Sequence, residues 1–248
     1  MKLILLLLAP VWLVSNALAH NYEPLLLPIA TAHRAKILKL AEKRDTTTRG
    51  ARDTYLVILE SEQKEASNKG DTKLMEKLTA EIDAVKLDGF TTSPDGFSRK
   101  LLSARKTLEK AIQQAQSDAE REAKPVNASY LSDLNRLSVG EGSTPLLVKQ
   151  IASEKKALSY GFIGPIFNPE TDLPGTAWWP TDHPNESWKF SYADGEVHLD
   201  NWKVVFPKPD ELVIQWQGNW FFGKILKNGR VIIEGGRPKL ILSTGKKE

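Results

Sequence analysis

The sequence predicts an α+β protein in two segregated parts, N-terminal long helical hairpins followed by a small antiparallel β-barrel or sandwich. Three observations carry this. Residues 31–124 hold 19 Lys or Arg and 16 Asp or Glu with no Trp, whereas residues 159–248 hold six of the seven Trp. Apolar residues in the first part recur every three or four positions, the period of a helix face; in the second they recur every two, the period of a strand. Between the parts, residues 159–175 contain three Gly and three Pro, the composition of a connecting loop. The chain therefore divides into a signal peptide (1–19), a helical stalk of two α-hairpins (20–158), a linker (159–175) and a Trp-rich antiparallel β-domain (176–248).

Each hairpin has legible helices. Met75, Leu78, Ile82 and Val85 form one helix face, and Leu101, Ala104, Leu108, Ala111, Ile112, Ala115 and Ala119 form another, whose small alanines permit close helix approach. Asn68-Lys69-Gly70-Asp71 reads as a helix end, a Gly C-cap and an Asp N-cap. Pro125 is expected to kink or end the third helix, with Asn127 capping the segment beyond it. The first part also repeats itself. Tyr55-Leu56-x-x-Leu59 recurs as Tyr130-Leu131-x-x-Leu134, and Leu78-x-x-Glu81-x-x-x-Val85 as Ile151-x-x-Glu154-x-x-x-Leu158. The shortening between the two matches belongs in the turn. The expected hairpins are 29–68 with 72–87 and 98–138 with 144–158; a forty-residue helix would be about 60 Å long. The tyrosines read as interhelical packing positions, and the charged residues as solvated faces with i, i+4 pairs.

The first residues read as an address. Lys2, the apolar run Leu3–Val14, then Ala17-Leu18-Ala19 describe a secretory signal peptide cleaved before His20. A bilayer span needs about 20 apolar residues; this run is shorter and contains Pro10, and no later run is long enough to cross. The chain has no cysteine, which removes disulfides, thiol catalysis and cysteine metal sites. Export without disulfides fits the bacterial periplasm or exterior. With 34 basic against 31 acidic residues and a net charge of +3, there is no electrostatic case for nucleic acid.

In the last ninety residues, Trp188, Phe190 and Tyr192, then Val197 and Leu199, then Trp202, Val204 and Phe206, then Leu212, Ile214 and Trp216 alternate with polar neighbours. Turn residues separate them at Asp194-Gly195, Gln217-Gly218-Asn219, Asn228-Gly229 and Gly235-Gly236. Seven or so short strands make a meander. Gly175-Thr176-Ala177-Trp178, then Trp188-x-Phe190-x-x-x-Asp194-Gly195 and Asn201-Trp202, resemble a lipocalin-like β-meander module of uncharacterised secreted bacterial proteins. The helical repeat ahead of it resembles their N-terminal part. The resemblance implies a fold and supplies no catalytic residues.

A parity argument singles out outward aromatics. With Gly218-Asn219 as a two-residue turn, Gln217 pairs with Trp220 and Gln215 with Phe222. Leu212, Ile214 and Trp216 then face the core, so Gln215, Gln217, Trp220 and Phe222 face out. Of Trp178 and Trp179, neighbours in a strand, one must also point away from the core. Exposed aromatic rings beside amides suit a glycan or cell-wall polymer. The alternatives are a face that packs on the stalk or meets a protein partner or second copy, and a barrel that cups an apolar small molecule.

No catalytic constellation is legible: there is no Gly-x-Ser-x-Gly, P-loop, Gly-x-Gly-x-x-Gly or His-x-x-x-His pattern. Asp194, Glu196, His198 and Asp200 would share the outer face of a strand, but calcium loops need tighter spacing and a shaping Gly. The stalk carboxylates are expected on exposed helix faces, without the burial that raises a pKa for acid–base work. The expectation is an exported, non-enzymatic binding protein with no cofactor and no metal, and with assembly through stalk and β-domain as the alternative.

Overall fold

The computed structural model describes residues 22–86, 89–91, 93–140, 144–161, 166–174, 177–180, 187–193, 196–208, 210–216, 218–225, 231–234 and 240–243. The expected signal peptide and His20 lie outside the described residues, as do Gln217 and Asp194. The helices are α1 (Leu27–Lys69), α2 (Thr72–Lys86), α3 (Arg99–Ser138), α4 (Pro145–Tyr160) and the short α5 (Pro169–Asp172). The strands are β1 (Ala177–Pro180), β2 (Trp188–Ala193), β3 (Glu196–Leu199), β4 (Trp202–Lys208), β5 (Glu211–Trp216), β6 (Asn219–Ile225), β7 (Val231–Glu234) and β8 (Leu240–Ser243). The fold is α+β with its helices first and its strands last, and no described helix is long and apolar enough to cross a membrane.

The end of α1 and the start of α2 match their sequence signals. Gly70 takes φ +70° after α1, and the Asp71 carboxylate accepts from the Leu74 amide at 3.0 Å to start α2. Thr144 caps α4 by accepting from the Leu147 amide at 3.0 Å, and Gly161 ends it at φ +63°. Pro125 does not end its helix: α3 runs through it. Ala115, Ala119, Ala123, Tyr130 and Leu134 are buried on both sides of the proline, and this continuous packed stripe outweighs the one backbone bond that proline removes. Asn127 consequently caps nothing, and its side chain bonds to His33.

Two compact units result, one of Leu40–Arg121 and one of Met1–Lys39 with Glu122–Glu248. The division falls within α1 and α3 rather than at residues 159–175. That expected linker carries buried side chains: Ile166, Phe167, Asn168, Asp172 and Leu173 are at most 6 % exposed. Gly161 terminates α4 and Pro169 starts α5, and the apolar residues near them complete a core. The 40–121 unit has its own core around Tyr55, Leu59, Leu78, Ile82 and Leu101.

The strands form a closed antiparallel meander, β1 to β8 in order, with β1 paired to both β2 and β8. Its interior is filled. Trp178, Phe190, Leu199, Leu212, Ile214 and Val231 are at most 1 % exposed, joined by Ile166 and Leu173 from before the first strand. Among the described residues, the barrel interior is packed by its own side chains. Gly223 makes one tight approach possible: a Cβ there would meet Leu212 Cδ1 at 2.7 Å and the Ile232 carbonyl oxygen at 2.8 Å. Gly223→Ala is therefore expected to cost about 1–3 kcal/mol by overpacking, read as a lowered urea midpoint at unchanged slope.

Candidate functional site

The β5–β6 hairpin differs from expectation by two residues. Trp216 pairs with Asn219, Gln215 with Trp220, Ile214 with Phe221 and Val213 with Phe222. The closing pair therefore sits one position earlier on each strand's count, with Gly218 immediately before Asn219. Gly218 adopts the left-handed φ of +80° that a tight hairpin turn needs. A two-residue shift preserves parity. Trp220 and Phe222 still face outward, 55 % and 63 % exposed.

Cross-strand pairing assembles two rows on that face. Lys203, Gln215 and Trp220 are successive partners across β4, β5 and β6. Val205, Val213 and Phe222 form the parallel row, with Val205 44 % exposed. Partners in such rows bring their Cβ atoms about 5 Å apart, while Trp220 and Phe222 stand about 7 Å apart along β6. The face presents two large rings, two valines, one amide and one ammonium group; Lys203 is also ion-paired to Glu196. Three of the sequence-derived candidates, Gln215, Trp220 and Phe222, come together here. Gln217 lies outside the described residues. Trp178 is corrected: it is 1 % exposed, edge-on to Phe190 with centroids 6.0 Å apart, and is a core residue of the barrel. Trp179 comes next in β1, and its side chain is outside the described residues. Lys203, Val205 and Val213 carry no signal of their own in the sequence, since only the register of β4 against β5 places them beside the aromatics.

Of the outer-strand acidic group, Glu196 is taken by Lys203, and Asp200 accepts from the Lys189 amide at 2.8 Å. Among the described residues no three His, Cys, Asp or Glu could hold a metal ion.

The helical carboxylates overturn a second expectation. Glu81 and Glu154, the matched acidic residues of the repeat, are fully buried. Tyr55 donates to Glu81 at 2.8 Å and Tyr130 to Glu154 at 2.7 Å. Each carboxylate also meets an arginine from the other hairpin: Arg105 for Glu81 at 3.3 Å and Arg34 for Glu154 at 2.8 Å. Each guanidinium lies over a phenylalanine, Arg105 over Phe90 and Arg34 over Phe167. Thr91 donates its amide to Glu81, and Asn168 its side-chain amide to Glu154. The quartet Tyr, Glu, Arg, Phe thus occurs twice, once in each unit. Sequence held the signal: Phe90 and Phe167 open the matching stretches Phe90-Thr-Thr-Ser-Pro-Asp95 and Phe167-Asn-Pro-Glu-Thr-Asp172.

The Arg34 cluster is the more elaborate. Arg34 Nε donates to both oxygens of Asp172 at 3.1 and 3.2 Å, and Nη2 donates to Tyr22 and Glu154. Burial alone would raise the Glu154 carboxyl, but the Arg34 guanidinium and hydrogen bonds from Tyr22, Asn168 and Tyr130 hold it below the usual range. Burial pushes Asp172 up, against the pull of Arg34. Burial also pushes Tyr22 and Tyr130 above the usual phenol range, so both stay neutral donors. Arg34, Glu154, Asp172 and both tyrosines are at most 7 % exposed. The buried cluster fastens the helices to segment 166–173.

The fold and face together define an α+β protein with a helical module and a Trp-bearing antiparallel barrel that carries an open aromatic surface. Comparison with protein-family models, curated proteins and solved structures finds no match to this chain.

Proposed function

We propose that the protein is an exported, non-enzymatic binding protein that takes a glycan or cell-wall polymer on the outer face of β4, β5 and β6. The carrying observation is the pair Trp220 and Phe222, each more than half exposed and on one face with Gln215. A sugar ring stacks its C–H face on such rings, and an amide exchanges hydrogen bonds with hydroxyls. Two rings about 7 Å apart along a strand suit a chain of sugars better than a single one. The packed barrel interior argues against a lipocalin-like apolar cup. Export rests on the basic, apolar and Ala-x-Ala pattern of residues 1–19. A second reading, a protein contact in envelope assembly, is favoured by Val205 and Val213, which extend the apolar surface beside the rings.

Co-sedimentation of the mature chain with insoluble polysaccharides and with peptidoglycan tests this. Retention is expected, and Trp220→Ala should reduce it about tenfold, the loss of one good aromatic contact, while stability stays within about 0.5 kcal/mol. A folded protein retained on no matrix would overturn the glycan reading. A concentration-dependent mass abolished by Trp220→Ala would support assembly instead.

A further inference from the structure

One of the differences between the two buried clusters lies beside the arginine. His33, next to Arg34 on α1, is 3 % exposed; the residue before Arg105 is Ala104. His33 stacks on Tyr130 with centroids 4.1 Å apart and meets Phe167 edge-on at 4.7 Å. Its Nδ1 lies 3.1 Å from Arg34 Nη1, and its Nε2 lies 2.9 Å from Asn127 Oδ1. A guanidinium only donates, so Nδ1 must keep its lone pair and Nε2 carries the hydrogen. The imidazole is neutral and is fitted as an acceptor to a cation.

We propose that His33 makes the Arg34 cluster an acid-labile latch, in which a proton on Nδ1 turns its contact with Arg34 into one between two cationic donors and loosens segment 166–173. The release is local because of what that segment holds. Asp172 accepts from the Phe167 and Asn168 amides at 2.8 and 2.9 Å and is itself held by Arg34. Ile166 and Leu173, at the ends of the segment, pack into the barrel core. Among the described residues, the charged and titratable groups acting on His33 are Arg34 and Lys36 from α1, Tyr130 from α3 and Glu154 from α4, with Asp172 from α5 and Tyr22 ahead of α1 joined to it through Arg34. Burial and then Arg34 depress the imidazole from 6.5 to about 4, with Lys36 adding to them; the Asn127 hydrogen bond and the Glu154 charge oppose this. A depressed histidine penalises folding increasingly as pH falls from its unfolded value towards about 4. The latch is closed at neutral pH and strained in acid.

Amide hydrogen exchange of the full chain, measured from pH 7 to 3.5 and normalised to intrinsic rates, tests it. Phe167 and Asn168 are expected to lose protection as pH falls towards about 4. Thr91, whose amide is held by Glu81 in the cluster with Ala104, should keep its protection at the same pH. His33→Gln, which can still accept from Arg34 and donate to Asn127, should retain about tenfold more protection at Phe167 where the wild type has opened, the effect of one pKa unit. Should that variant fold poorly, the wild-type His33 ring resonances decide: they should stay neutral, with the hydrogen on Nε2, down to about pH 4. Simultaneous loss in both clusters, unchanged loss in His33→Gln, or titration of His33 near 6.5 would each overturn the latch.

Discussion

Arg34→Met is expected to destabilise the unit that contains the barrel by about 3–5 kcal/mol, the range for removing one partner of a buried ion pair. Methionine fills much of the space and lies well on Phe167, so lost volume is the smaller cause. The larger one is that Glu154 and Asp172, both buried, lose the charge that faces them. Arg105→Met should cost less. Arg105 is 12 % exposed and sits between buried Glu81 and half-open Glu109, so water can partly replace it. Calorimetric unfolding of both variants checks the order. Adding Glu154→Gln to Arg34→Met should recover part of the loss, because it removes a stranded charge. A loss under about 1 kcal/mol for Arg34→Met would show that the cluster is not what fastens segment 166–173.

Local rules make most of the elements legible, and long-range pairing makes the rest opaque. Helix ends at Gly70 and Thr144 and the alternation along β2 to β5 depend on neighbours within four residues, and sequence carries those directly. The twofold Tyr and Glu pattern is visible in the sequence, but its meaning is not. Arg34 reaches Glu154 across 120 positions, and each arginine serves the other hairpin's carboxylate, which no periodicity encodes. Exposure is hard to read for the same reason, since a glutamate on a charged helix looks solvated until its partner is known. Pro125 does not end α3 because its propensity is local, whereas the packed stripe on both sides of it is not. At the candidate face, alternation sets which way Trp220 and Phe222 point, and this outlasts an error of two residues in the pairing. Their neighbours Lys203, Val205 and Val213 need the register itself. The Gly and Pro content of residues 159–175 suggests a loop free of the core, whereas Ile166, Phe167 and Leu173 within it are buried.

Trp178→Ala is expected to have the largest effect in the β-domain, about 3–5 kcal/mol, as for other buried Trp truncations. Trp178 is the largest fully buried side chain among the described residues, and β1, which carries it, is the strand whose pairing to β2 and β8 closes the barrel. Removing the indole leaves a void against Phe190 that a closed sheet collapses onto poorly, and weakens the closing strand. Urea unfolding monitored by far-ultraviolet circular dichroism measures the cost. An increase in hydrophobic dye binding would report the opened interior. The comparison that matters is with Trp220→Ala on the same barrel. Two tryptophans in one sheet should divide cleanly, Trp178 governing stability and Trp220 governing retention on the polymer. Should Trp178→Ala remain folded with its stability within about 1 kcal/mol of the wild type, the barrel does not depend on that indole. Should Trp220→Ala lower stability as much as Trp178→Ala, its ring is a packing residue and the outer face loses its standing as a binding surface.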